Sequence, residues 1–119
     1  MSELNNLCHV EYFVTDIARS QAFYESLFGW NFQAFTPDMV VFGIGDQHIG
    51  GLMKKDVVNA GDSPSLWFRV ASLDATLAKA VQIGGSTDGE KSPVPGVGFS
   101  SVIKDPDGNA VGIVEFVEQ

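Results

Sequence analysis

The chain has 119 residues, a hydrophobic fraction of 45% and no apolar run long enough to cross a bilayer, which fits one soluble domain with its own core. Fifteen acidic against seven basic side chains give a net charge of −8, which argues against nucleic acid and against anionic membrane surfaces as partners. It leaves a mild preference for cationic guests.

Residues 1–7, MSELNNL, show neither a basic start nor an apolar run, so no secretory signal is expected. The single Cys8 has no intramolecular disulfide partner, in keeping with a reducing, cytoplasmic setting. It shares a strand face with Val10 and Tyr12 and reads as a small core side chain.

Residues 9–15, HVEYFVT, alternate as a strand does. Val10, Tyr12 and Val14 belong on a face beneath a helix, and His9, Glu11 and Phe13 on the opposite one. Asp16 is a helix N-cap, Ser20, Phe23, Tyr24, Leu27 and Phe28 recur at helical spacing, and Gly29 ends the helix. Strands are expected over residues 31–35, 39–44 and 47–53, the last two joined by a tight turn at Gly45–Asp46. Residues 54–64, KKDVVNAGDSP, form a loop-like joint.

The pattern then starts again. Setting Val14 on Val70 aligns Ile17 with Leu73, Ser20 with Thr76, Ala22 with Ala78, Leu27 with Ile83 and Gly29 with Gly85, and puts the cap Asp16 opposite Ser72. The alignment predicts a strand over 66–70 and a helix over 73–83. A short polar edge strand is expected within 86–91, and a Pro/Gly loop over 92–98 (SPVPGVG). A strand over 99–104, a turn at DPDGN and a last strand over 110–117 complete the order β-α-β-β-β, twice. The fold class is therefore α+β. Tandem βαβββ units, about 7–54 and about 64–118 within a single domain 1–119, are expected to curl a mixed sheet around a cleft with the helices outside. One helix covers one face of each sheet, so the apolar residues of the other face need a second cover, and a cleft there suits a small ligand. His9, Glu11, Phe13 and Trp67 have the parity to line it, with Phe99 completing an apolar and aromatic floor.

The paired units, with TDIARSQAFYESLFGW, GGLM, PVPGVG and DPDGN in this order and spacing, resemble the vicinal oxygen chelate superfamily. This is the group of glyoxalase I, extradiol dioxygenases and bleomycin-resistance proteins. More narrowly the chain is similar to small bacterial proteins related to lactoylglutathione lyase. The resemblance implies a homodimer and a small-molecule ligand. Metal-dependent members hold a divalent ion through two side chains per unit, at positions that fall here on His9, Gly51, Ser65 and Gly112. Only His9 keeps a ligating group. The expectation is no tightly bound metal or cofactor, at most weak divalent binding through His9, and no standard glyoxalase I activity.

Three readings follow, the last a dimeric module that serves in protein interactions only. In the first, a lyase- or isomerase-type enzyme uses His9 and Glu11, two positions apart on one strand and about 6–7 Å apart at Cβ, as acid and base. In the second, a non-catalytic protein sequesters a small molecule as antibiotic-resistance members do. His48 is a third member only if its strand places it inward, and by the Gly51 alignment it has the opposite parity.

Overall fold

The structure, a computed structural model, describes residues 3–117. The last position of the expected second unit, residue 118, and the first two residues of the segment read for a signal lie outside the described residues. The chain divides into two compact units. One is Cys8–Ser65; the other begins at Leu66 and takes in the N-terminal segment up to Leu7. That segment is tied to the second unit by backbone hydrogen bonds, Asn5 N to Arg69 O at 2.6 Å and Arg69 N to Asn6 O at 3.0 Å.

The first unit runs β1 (Leu7–Val14), α1 (Ile17–Phe28), β2 (Asn31–Thr36), β3 (Met39–Ile44) and β4 (Gln47–Lys54). Its sheet order is β2-β3-β4-β1, antiparallel except for the parallel β4–β1 pair. Asp16 caps α1 by accepting a hydrogen bond from Arg19 N, and Gly29 closes the helix at φ 70°, a left-handed conformation that glycine adopts without a Cβ penalty. Val14, Phe42 and Leu52 form the core, with Tyr12, Ile17, Tyr24, Trp30 and Ile49 packed against it. Helix α1 turns Ile17 and Tyr24 to this core and leaves Phe23, Leu27 and Phe28 exposed. Its apolar stripe is thus wider than the surface it covers.

The second unit runs β5 (Ser65–Arg69), α2 (Leu73–Gln82), β6 (Ser86–Thr87), β7 (Ser92–Val94), β8 (Gly98–Lys104) and β9 (Ala110–Phe116). Its strands lie in the order β5-β9-β8-β6, with β7 also on β8. Ser72 caps α2 through Ala75 N, as the aligned Asp16 does in α1. A second acceptor comes from β9, where Glu115 Oε1 takes the Leu73 amide at 2.7 Å. The core holds Val70, Leu73 and Ile113, with Leu77, Phe99 and Ile103 against it.

Two expectations change here. The edge strand of residues 86–91 shrinks to Ser86–Thr87. The Pro/Gly stretch expected as a loop contains a strand, β7, antiparallel to β8 with Pro93 opposite Phe99. Proline lacks an amide donor, so it fits a strand that pairs along one edge.

Candidate functional site

The face of the first unit that α1 leaves bare carries the residues of interest. The β1–β4 register sets Tyr12 opposite Leu52 and Glu11 opposite Gly51, so the core takes Tyr12 and Leu52 while Glu11 lies on the far face. His9 shares that face, and His9 Cε1 would stand 3.3 Å from a Cβ placed on Gly51. The side chains of His9 and Glu11 are only 17% and 15% exposed.

His9 Nε2 lies 3.3 Å from Glu11 Oε1, and His9 Nδ1 lies 2.8 Å from His48 Nε2. The two imidazole planes are within 14° and their centroids 5.1 Å apart. With a nitrogen–nitrogen contact between them, those values describe rings joined edge to edge rather than stacked face to face.

The inclusion of His48 corrects the sequence reading. Pairing between β3 and β4 shifts from Phe42↔Gly50 to Gly43↔His48, leaving Ile49 as the extra residue of a β-bulge. A bulge reverses side-chain parity beyond it. Ile49 accordingly packs on the core beside Leu52, and His48 falls on the face of His9 and Gly51. Gly43 permits this, since a Cβ there would run into the Gln47 carbonyl and stand 3.2 Å from His48 Cα.

Hydrogen-bond chemistry orders the protons. An ionised Glu11 can only accept, so His9 Nε2 carries the hydrogen that faces it. His9 Nδ1 is then an acceptor, and His48 Nε2–H donates to it. His48 keeps Nδ1 as a lone pair at the exposed end of the chain. Burial, and next the neighbouring His9, hold the His48 pKa below the ordinary imidazole value.

The remaining candidates separate. Phe13 is half-buried on β1, with Lys55 Nζ 4.8 Å from its ring centroid. Trp67 pairs with Gly112, and its indole occupies the space a Cβ at residue 112 would need. Phe99 does not share the face of Trp67. The register Phe99↔Glu115 and Ser101↔Ile113 gives it the parity of Ile113, and it packs on the Val70, Leu73 and Ile113 core beneath α2. The expected floor thus loses Phe99.

A profile of the glyoxalase/bleomycin resistance protein/dioxygenase superfamily matches residues 6–113. The chain belongs to this superfamily. It is 30% identical over 98 residues to "Putative glyoxylase CFP32" of Mycobacterium bovis, a match that takes in 79% of this chain. It spans 38% of that relative's length. Among solved structures, methylmalonyl-CoA epimerase from Mycobacterium tuberculosis superposes with a TM-score of 0.72 at 16% identity, over 99% of this chain and 93% of the other. The Mn(II)-bound glyoxalase from Novosphingobium aromaticivorans gives 0.67 at 21% identity, over 97% of this chain and 40% of the other. At such identities the likeness is one of fold.

The glyoxalase just named is Mn(II)-bound, and the residues of this chain differ from a metal cage. Of the positions the resemblance assigns to ligands, Gly51 and Gly112 offer no side-chain donor, and Gly112 is covered by Trp67. Both ring nitrogens of His9 are already hydrogen-bonded. Among the described residues no group of three or more His, Cys, Asp and Glu is arranged to hold an ion. The donor set does not fit a caged divalent metal.

No helix among the described residues is long and apolar enough to cross a membrane.

Proposed function

We propose that this superfamily member binds a small organic molecule on the bare face of its first unit and moves a proton on it, as a lyase or isomerase does. The Glu11–His9–His48 chain carries the reading. Its most exposed member, His48, presents Nδ1 as the base, and its lowered pKa keeps that nitrogen unprotonated near neutral pH. A proton taken at Nδ1 makes His48 an imidazolium, whose Nε2–H strengthens its bond to His9 Nδ1. The half-hidden Glu11 carboxylate fixes the His9 tautomer and balances the charge that builds behind it. His48 is thus the catalytic residue, with His9 and Glu11 positioning it. No step uses a metal, because the ligand positions do not supply one's donors.

The test is wash-in of deuterium from D2O at carbon acids next to a carbonyl, read by proton NMR over small 2-hydroxy ketones, 2-oxo acids and thioesters. Exchange should fall about 10²–10⁴-fold in His48→Gln. Exchange equal in the wild type, His48→Gln and His9→Gln contradicts the proposal.

One observation favours a second reading. Trp67 ring atoms stand where a Cβ on Gly112 would be, so an apolar side chain occupies the place where metal enzymes of the superfamily put a ligand. That side chain suits capture without turnover, as in a sequestering protein of the antibiotic-resistance type. Either reading accommodates the homodimer that the resemblance implies, and sedimentation of the purified chain checks it.

A further inference from the structure

Residues of α1, the end of β1 from Tyr12 to Val14, and Ser63 border a groove of about 400 Å³. That is within the size range of small-ligand sites, about 300–1,000 Å³. Of its β1 residues Tyr12 and Val14 have the parity of the core and Phe13 that of Glu11, but none of Glu11, His9 and His48 lines it. Its walls are aromatic. Tyr12 and Tyr24 lie with centroids 5.6 Å apart, and Phe23 meets Tyr24 edge to face at 5.1 Å. Phe23 is 59% exposed, so much of its ring has no protein against it.

Every polar side chain that lines this groove (Arg19, Ser20, Ser63, Tyr12 and Tyr24) carries a hydrogen-bond donor. None is a carboxylate, in a chain where acidic side chains outnumber basic ones fifteen to seven. One guanidinium N–H of Arg19 is spent on Thr15 Oγ1 at 3.0 Å. The nearest carboxylate in sequence, Asp16, is turned onto the Arg19 backbone amide at 3.0 Å. The rest of the guanidinium fork is left to meet an anion. Burial, and next the proximity of Tyr12, raise the pKa of Tyr24, which keeps its phenol a neutral donor.

We propose that this groove is a binding site for a small aromatic carboxylate. The ring lies against Phe23 and Tyr24, and the carboxylate takes a forked pair of hydrogen bonds from Arg19. The occupant has the opposite charge to the cationic guest that net charge alone suggests. A local cation surrounded by donors decides a short-range contact, whereas net charge acts at a distance and is screened by salt.

The experiment titrates the full chain with benzoate, benzyl alcohol and benzylammonium, followed by amide chemical-shift changes. Benzoate should bind at least about tenfold more tightly than the other two, as a charge-assisted pair against a neutral or repelled one. The shifts should centre on Ser20, Phe23 and Tyr24. Arg19→Gln should remove the preference for benzoate while leaving the spectrum that of a folded chain, and Phe23→Ala should weaken all three probes. Equal affinity for the three, a preference that survives Arg19→Gln, or shifts centred on His9 and Gly51 instead would overturn the assignment. So would the absence of any shift at millimolar benzoate.

Discussion

The indole of Trp67 and the α-carbon of Gly112 face each other across the parallel β5–β9 pair, with ring atoms where a Cβ would stand. The equivalent pair in the first unit is Glu11 opposite Gly51. In both units the fourth-strand position that metal enzymes of the superfamily use for a ligand is a glycine. In the second unit the neighbouring strand has filled the space. Gly112→Ala should therefore displace the indole or strain the strand. The expected cost is about 1–3 kcal/mol of stability, together with a shift in tryptophan emission. Urea denaturation followed by fluorescence checks both.

The bulge at Ile49 makes a separate prediction. Gly43→Ala puts a methyl group against the Gln47 carbonyl, and the backbone before His48 must move. Stability should fall by about 1–3 kcal/mol, and the His9–His48 contact should open. Imidazole chemical shifts of both histidines would change together. Unperturbed shifts in a folded Gly43→Ala protein would mean that the bulge does not hold His48.

Much of this architecture is legible from local chemistry. Asp16, Ser72 and Gly29 mark helix ends because capping depends on one side chain and its nearest amides. The face of His9 and Glu11 follows from strict alternation along β1. What is not legible depends on pairing. Nothing in QHIGGLM says that Ile49 will be skipped in the ladder. The β3–β4 pairing reveals it, although glycines at 43, 45, 50 and 51 are the signal that alternation is unsafe there. Phe99 is misplaced for a related reason: its face is set by the register with Glu115, which the composition of β8 does not encode. The capping role of Glu115 crosses from β9 to α2 and has no local signature.

Acid should weaken the fold through His48. Its pKa is lowered in the folded chain from the ordinary 6.5. As pH falls below that value the unfolded chain takes up the proton first, so unfolding is favoured until the folded-state pKa is also passed. Wild type should lose more denaturant resistance than His48→Gln between about pH 7.5 and about pH 5.5. Parallel losses in the two proteins would show that His48 titrates alike in both states.

Metal content follows from the donor set. Protein purified without chelator should carry manganese, zinc, iron and nickel far below one equivalent, measured by plasma mass spectrometry. Deuterium exchange, where found, should survive dialysis against EDTA. Stoichiometric metal that is lost in His9→Gln would mean that His9 and its neighbours do hold an ion.

The proton order along Glu11, His9 and His48 is the claim on which the rest depends. Long-range nitrogen–proton correlation spectra of the imidazoles, recorded on uniformly nitrogen-15-labelled protein above pH about 7, read it directly. His9 should be protonated at Nε2 with Nδ1 bare, His48 likewise protonated at Nε2, and Glu11→Ala should lose the single His9 tautomer. A His9 ring protonated at Nδ1, or tautomers averaged equally in the wild type, would contradict that order.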